Sequence, residues 1–370
     1  MMVDKNLLSY ESKVKEYWPE FGSLGKEEIT LADIMRHEGG LDHLDHTFVD
    51  SDFSRESIKQ NCVGSWLEKE YAHWDNPTES CRAYHTITRG WILNEIVRRV
   101  DPMGRTIGEI FHDEVMQEGM FCGLPENQAH LVVPQQAKTK NWLIGQSMLP
   151  SFISNKVDYN LMDILWSMMN DAGKRWLKTT ECLSGVQQDQ SQTQKHWQKD
   201  HVRKNEHPSA NFNGSARGLA RVAHIMANSG VDPDGKRILS HETCKKMHED
   251  PKIAYDVVVG TKQYFCTINH VSSLMNLFYT GYRTAFTKGG FNHFKRYENP
   301  NMVEANTDRD GWYGWYGYGG VIMQWHPTLK IAFGYAQTNV RWYDRLYKIG
   351  GKLQKSVLDC HIARPLSTGR

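Results

Sequence analysis

The sequence has no long hydrophobic run. None of its apolar stretches approaches the ~18 residues that a membrane-spanning helix needs, and Met1 to Tyr10 has no apolar core of the kind a secretory signal carries. It also lacks an excess of charge of either sign, with 44 basic against 43 acidic residues. That balance argues against a nucleic-acid partner and against attraction to an anionic membrane. Paired cysteine motifs are absent. The seven cysteines are scattered and odd in number, with no Cys-x-x-Cys. Reduced thiols in a reducing compartment, cytoplasmic by default, are the expectation. Asn213-Gly214-Ser215 is a formal glycosylation sequon, but it carries little weight without a signal. No internal repeat is visible. What is present is a globular composition, 39% hydrophobic and 24% charged, with twelve tryptophans for a core and a cleft.

The chain opens on an extended segment, Tyr17 to Phe21 (YWPEF), in which Pro19 excludes a regular helix. Thr30 with Asp33 starts a short helix that Gly39-Gly40 ends. Ile58, Cys62, Val63, Trp66, Leu67 and Tyr71 mark one longer helix before the loop Asp75-Asn76-Pro77. Thr106-x-x-Glu109 is a capping box, followed by Ile107, Ile110, Phe111 and Val115 on one face. Leu161, Ile164, Leu165, Met168 and Met169 repeat at helical spacing, as do Leu219, Val222, Ala223 and Met226. Between these two, Gly185 to Ser209 is polar and glutamine-rich and reads as a surface loop. Strand character comes late, at Tyr255 to Val259 and in a hairpin, Val321 to Trp325 with Ile331 to Ala336, turning at His326-Pro327-Thr328. Leu346, Ile349, Leu353 and Val357 space out a closing helix. Helices first and antiparallel strands last indicate α+β rather than alternating α/β.

Cys81 to Arg99 is the stretch around which the rest is organised. Ile87 and Trp91, continued by Leu93, Ile96, Val97 and Val100, give one apolar stripe, with Glu95 and Arg99 paired on the outer side. Asp101-Pro102 and Gly104 stop the helix. Tyr84, just before it, is therefore held rigidly with a hydroxyl able to enter a cleft. Gly311 to Gly320 (GWYGWYGYGG) interleaves glycines with aromatics as it opens the late hairpin, which lets something approach the backbone closely.

In order, these stretches resemble the serine β-lactamase-related family: class C β-lactamases, DD-peptidases of the penicillin-binding-protein type, and esterases built on their fold. YWPEF, then Gly25-Lys26, Ile29-Thr30 and His37-Glu38-Gly39-Gly40-Leu41, is similar to the family's stretch after its nucleophile helix. Tyr84-His85-Thr86 sits where the family has Tyr-x-Asn or Tyr-His, and Ser209 to Gly230 resembles a further family segment. Gly314 to Gly320 falls where its strand carries Lys-Thr-Gly or His-x-Gly. The resemblance implies a β-lactamase-like unit over residues 1–370, with a mainly helical part (27–251) carrying Tyr84 and an antiparallel sheet (252–370) closed by the last helix.

Family chemistry uses a serine on Ser-x-x-Lys, a tyrosine relay and a backbone oxyanion hole. Tyr84 matches the relay; His85, Thr86, Trp315, Tyr316 and Gly317 match substrate-binding positions. The sequence departs from the pattern in two ways. Ser-x-x-Lys should precede YWPEF, so the resemblance implies a chain that starts at the end of the nucleophile helix, with that helix and the N-terminal strands missing. The two downstream matches, Ser12 with Lys15 and Ser23 with Lys26, open no apolar helix. In addition, Trp315 occupies the cation's position and Thr86 the asparagine's.

The expectation is a pseudoenzyme as the chain stands, binding a small-molecule or peptide acyl ligand. One alternative is an active hydrolase in a longer form. The other is a non-enzymatic ligand-binding or scaffold protein that self-associates through a truncated sheet edge. No cofactor or metal is expected. His37, His43 and His46 are read as structural or surface residues, and Gly230 to Arg237 (GVDPDGKR) as a turn rather than a phosphate loop. Lys288-Gly289-Gly290 is read as a hairpin turn whose lysine could replace the missing cation.

Overall fold

The computed structural model describes residues 1–73, 81–138, 140–149, 178–184, 195–256, 258, 283–294, 309–317, 319–340 and 348–363. The helices are α1 (Leu31–Met35), α2 (Arg55–Lys59), α3 (Cys62–Lys69), α4 (Thr88–Val100), α5 (Ile107–Ile110), α6 (Lys140–Ser147), α7 (Asp200–Lys204), α8 (Ala216–Ala227), α9 (His241–His248) and α10 (Lys348–Ala363). The strands are β1 (Cys81–Arg82), β2 (Met120–Cys122), β3 (Gln136–Ala137), β4 (Phe212–Gly214), β5 (Lys252–Asp256), β6 (Arg283–Phe286), β7 (Asn292–Phe294), β8 (Trp312–Gly317), β9 (Val321–His326), β10 (Ile331–Tyr335) and β11 (Asn339–Val340).

Seven strands form the main sheet, in the order β1-β5-β6-β7-β8-β9-β10. All neighbours pair antiparallel except β1 and β5, which run parallel with Cys81 opposite Tyr255. The architecture is thus α+β. The helical half lends the sheet its β1 strand, which leads directly to Tyr84. β10 ends the sheet, and no strand pairs its outer edge among the described residues.

Two apolar clusters position these parts. Trp18, Phe21, Ile34, Leu41, Phe48, Phe53, Leu67, Trp91 and Ile96 fill the helical half. Ala223 and Met226 of α8 meet Trp325 of β9 on one face of the sheet. Gly334 on β10 lets α8 lie close. A Cβ there would stand 2.4 Å from the Ala216 carbonyl oxygen. Gly314 serves β8 in the same way. Its φ is +129°, and a Cβ would meet the Met323 carbonyl oxygen at 2.2 Å. What approaches the backbone at Gly314 is therefore the neighbouring strand β9.

Several sequence expectations hold. The Thr106–Glu109 capping box, the α8 helix and the β9–β10 hairpin are all present. The expected strand appears at 252–256, earlier than the spacing suggested; Val257 and Val259 lie outside the described residues, as do the 161–169 helix, the Asp75-Asn76-Pro77 loop and Leu346. GVDPDGKR is a turn, closed by Asp232 N–H donating to the Lys236 carbonyl at 2.9 Å.

Other expectations fail for physical reasons. Pro19 starts a 3-10 turn, Pro19–Phe21, because its fixed φ suits a first helical position. The helix expected over 58–71 breaks into α2 and α3 at Asn61, which is left-handed at φ 66°. The face after α5 passes into a π-helical turn, Phe111–Val115. Glu95 is buried rather than outward, because Arg98 and Arg99 bond its carboxylate at 2.8 and 2.5 Å. On α10 the apolar stripe faces out, with Ile349, Leu353 and Val357 between 37% and 49% exposed. Its inner face is Gly350 and Gln354 instead, and Gln354 Nε2 donates to Gln324 Oε1 at 2.7 Å.

Of the polar segment 185–209, residues 185–194, which carry most of its glutamines, lie outside the described residues, and the described remainder is no simple surface loop. It forms α7 and then buries Glu206 and His207 completely. Glu206 Oε1 accepts from Arg55 Nε at 2.6 Å and from the Thr106 hydroxyl at 2.8 Å. Its Oε2 accepts from Gly108 N–H at 3.2 Å and Asn94 Nδ2 at 3.4 Å. One carboxylate thus ties α2, α4 and α5 together. Glu206→Ala should cost about 3 kcal/mol, since it strands a partly buried guanidinium and several donors; urea unfolding measures it.

His207 packs between Phe53 and Trp197, with ring centroids 4.1 and 5.3 Å away, and Trp91 Nε1 donates to its Nδ1 at 3.3 Å. Burial, with His196 adding, pushes its imidazole down to about 3. The folded value lies below the unfolded one, about 6.5, so unfolded chain takes up the proton first. Stability from this group is full above about pH 6.5 and is lost as pH falls toward about 3. The urea midpoint should therefore drop between about pH 7 and about pH 5, and His207→Gln should flatten that slope.

Candidate active site

The loop after α1 and the stretch from β1 into α4 are laced together. His37 adopts the left-handed conformation, φ 64°, unusual for a residue with a Cβ. Its carbonyl accepts from Ala83 N–H at 3.1 Å, and its Nδ1 accepts from His85 N–H at 2.9 Å. His85 Nδ1–H donates to the Ala83 carbonyl at 2.5 Å, while its Nε2 accepts from Leu41 N–H at 3.1 Å. The Thr88 hydroxyl donates to the Leu41 carbonyl at 2.5 Å.

This lacing sets the Tyr84 ring 4.5 Å from His37 and 6.1 Å from Trp315, centroid to centroid. Trp315 lies nearly parallel to His37 at 5.9 Å, and Phe286 is 5.2 and 5.3 Å from the two. Tyr84 N–H donates to Asp256 Oδ1 at 3.2 Å, which fixes the backbone on β5. The relay tyrosine and the glycine-aromatic strand expected from the sequence are therefore neighbours, and Tyr84 is half-buried between them.

The other expected positions divide. His85 is buried, and both its ring nitrogens are bonded to backbone, so it holds the loop in place. Thr86 does not cap α4; its hydroxyl is enclosed with no hydrogen-bond partner among the described residues. Strand alternation sends Tyr316 to the opposite face from Trp315, against Phe294 and Arg309. Gly317 ends β8 beside Val321. Lys26 is wholly buried and bonds the carbonyls of Glu68 and Glu70; burial lowers its ammonium to about 8. Lys15 pairs with Glu28. None of the groups around these lysines is among those set against Tyr84.

Two residues of the site escape the sequence reading. Arg89, on the first turn of α4, places its guanidinium 4.8 Å from the Trp315 ring centre and donates to the Met35 and Gly290 carbonyls at 3.1 and 3.4 Å. The site therefore has a cation, delivered by the helix and not by the strand. Lys288 does not supply it, being paired with Glu11 at 2.6 Å. His37 is the second. With Nδ1 accepting, its proton sits on Nε2, and that buried N–H has no partner among the described residues. Nothing in the spacing of either residue marks it.

Burial pushes the Tyr84 phenol above its usual range, Arg89 opposes that, and Asp256 adds to it. His37 is held well below the ordinary histidine range by burial, reinforced by Arg89, His85 and Arg82. Both rings are thus neutral at neutral pH, beside a permanent charge. A carbonyl or carboxylate oxygen entering the cage would find an N–H donor, a phenol and a guanidinium between aromatic walls. Because the guanidinium favours phenolate, Arg89→Gln should raise the Tyr84 pKa further; ring-labelled tyrosine NMR across a pH series would show it, and an unmoved titration would refute the coupling.

The sequence profile described as Beta-lactamase matches residues 1–346. Esterase/beta-lactamase LipL of Mycobacterium tuberculosis (strain ATCC 25618 / H37Rv) is 27% identical over 254 residues, 65% of this chain and 50% of that protein. The chain thus spans about half the length of the curated relative it matches. A family VIII carboxylesterase structure superposes with a TM-score of 0.62 at 20% identity, over 96% of this chain and 78% of that one. A penicillin-binding protein homolog from Caulobacter crescentus gives 0.62 at 19%, over 96% and 78%. EstA from Arthrobacter nitroguajacolicus Rue61a gives 0.65 at 17%, over 97% and 80%. At those identities the structures speak to the fold, whereas the profile covers almost the whole sequence. The chain belongs to the β-lactamase family.

Proposed function

We propose that the cage around Tyr84 binds a small ester-, amide- or peptide-like acyl ligand without turning it over in this chain. The observation that carries the reading is the placement against Tyr84, among the described residues, of His37, Trp315 and Arg89. Acyl transfer needs an alcohol or thiol within hydrogen-bond reach of a base. Arginine stays protonated and cannot be that base. A phenol raised by burial is a poor one, and the two Ser-x-x-Lys lysines are committed elsewhere. Binding, by contrast, is well provided for. The His37 Nε2–H and the Arg89 guanidinium suit an acyl oxygen, and Trp315 and Phe286 suit an apolar acyl or aryl group.

An active hydrolase in a longer polypeptide is the competing reading. It is favoured by the relative named an esterase/β-lactamase, of which this chain covers half. Purified chain, offered p-nitrophenyl acetate and nitrocefin, should give no turnover beyond that of Tyr84→Phe. N-phenylacetamide should quench tryptophan fluorescence saturably, and Trp315→Leu should abolish that quench. Serine-dependent turnover that disappears in Tyr84→Phe would sink the first reading.

A further inference from the structure

The sequence places His37, His43 and His46 close together, but the fold separates them. His37 joins the Tyr84 cage and His46 stacks on Trp66 at 3.6 Å. His43 meets His73 instead, thirty residues on, with the rings near-parallel at 4.3 Å. Asp45 completes the group, and one potential ligand atom from each of the three lies within 4.8 Å of the others.

Behind each imidazole stands a carboxylate. Asp42 Oδ2, fully buried, is 3.2 Å from His43 Nδ1. Glu70 Oε1, also buried, is 3.0 Å from His73 Nε2, and Glu70 Oε2 accepts from Asp45 N–H at 3.3 Å. Metal-bound histidines characteristically give their second ring nitrogen to a carboxylate, which fixes the tautomer and raises ligand basicity. Here both do so, which makes Nε2 of His43 and Nδ1 of His73 the candidate ligand atoms. The Asp45 side is exposed, so an ion has a way in and a water can complete its shell.

We propose that His43, His73 and Asp45 form a site for a borderline divalent cation of the zinc type, oriented by Asp42 and Glu70. Two imidazoles and a carboxylate, with a fourth position for water, match the ligand preferences of Zn²⁺ and Co²⁺ and not those of Ca²⁺ or Mg²⁺. The ion would pin the loop at Gly40–Asp45 to Glu70–His73, two segments already joined by His73 N–H donating to the Gly40 carbonyl at 2.7 Å. Leu41, one residue on, holds His85, so the clip braces the Tyr84 frame from outside. The proposal shares no residue with the acyl-binding reading and does not depend on it.

The full chain, stripped with chelator, is titrated with Co²⁺ and then Zn²⁺. One equivalent of Co²⁺ should bring up the visible absorption of a four-coordinate nitrogen–oxygen site, and one equivalent of Zn²⁺ should remove it. Glu70→Gln should weaken binding by about 10–100-fold, and His43→Ala and His73→Ala by more. Should a histidine variant fail to fold, Asp45→Asn serves in its place, because Asp45 is exposed: affinity should fall while the melting temperature of the metal-free protein stays put. His46→Ala should bind as the parent does. Absence of a saturable Co²⁺ band, or parental affinity in His43→Ala, His73→Ala or Asp45→Asn, overturns the site.

Discussion

The pairing of the His37 loop with the Ala83–Thr88 segment is the constraint on which the cleft depends. Its four bonds run from Ala83, His85, Leu41 and Thr88 donors to His37, His85 and Leu41 acceptors, all in buried surroundings. Each is worth only about 1 kcal/mol net, but leaving a buried donor unpaired costs about 1–3 kcal/mol. Sliding one segment past the other would orphan several groups at once. The left-handed backbone at His37 persists for that reason, as a strained residue does when its surroundings over-determine it. Tyr84, flanked on both sides by bonded residues, has little choice of place.

Around that frame the charge comes from an unusual direction. The strand position where relatives are expected to carry a cation holds Trp315, and the first turn of α4 swings Arg89 over its face. The guanidinium and indole stabilise each other, a contact worth more once desolvated. The exchange also changes the available chemistry. A lysine can lose its proton in such a pocket and act as a base; an arginine holds a fixed charge and a planar fork suited to carboxylate. Tyr84 and His37 stay neutral beside it, so among the described residues two neutral rings stand beside one fixed cation, with the Asp256 carboxylate holding the Tyr84 backbone.

The features legible in the sequence are those the chain encodes locally. The α8 stripe, the Thr106 box, the β9–β10 hairpin and the meeting of Tyr84 with Trp315 come from periods, caps and motif order. Where the sequence misleads, one cause recurs: a polar residue reads as a surface residue. Glu206 and His207 are buried because distant partners satisfy them, and no window of sequence shows a partner a hundred residues away; Gln354 meets Gln324 thirty residues back, and Glu95 is buried by Arg98 and Arg99 within its own helix. His37 and Arg89 escape notice for the same reason. One is turned by a tertiary backbone conformation and the other acquires its meaning from a strand over two hundred residues later.

None of the interactions that build the cleft needs the groups that would attack a carbonyl. The lacing uses backbone and imidazole, the Glu206 hub joins helices, and Gly314 brings β8 against β9. An alcohol and its base would add to this frame without holding it up. The cage can therefore keep its shape whether or not turnover is supported, and the fold and the reaction are separable properties here. For the same reason a β-lactamase family profile, which reads the frame, says little about catalysis. That question rests on a few side chains beside Tyr84, and the proposed acyl-oxygen binding by His37 and Arg89 rests on the same few.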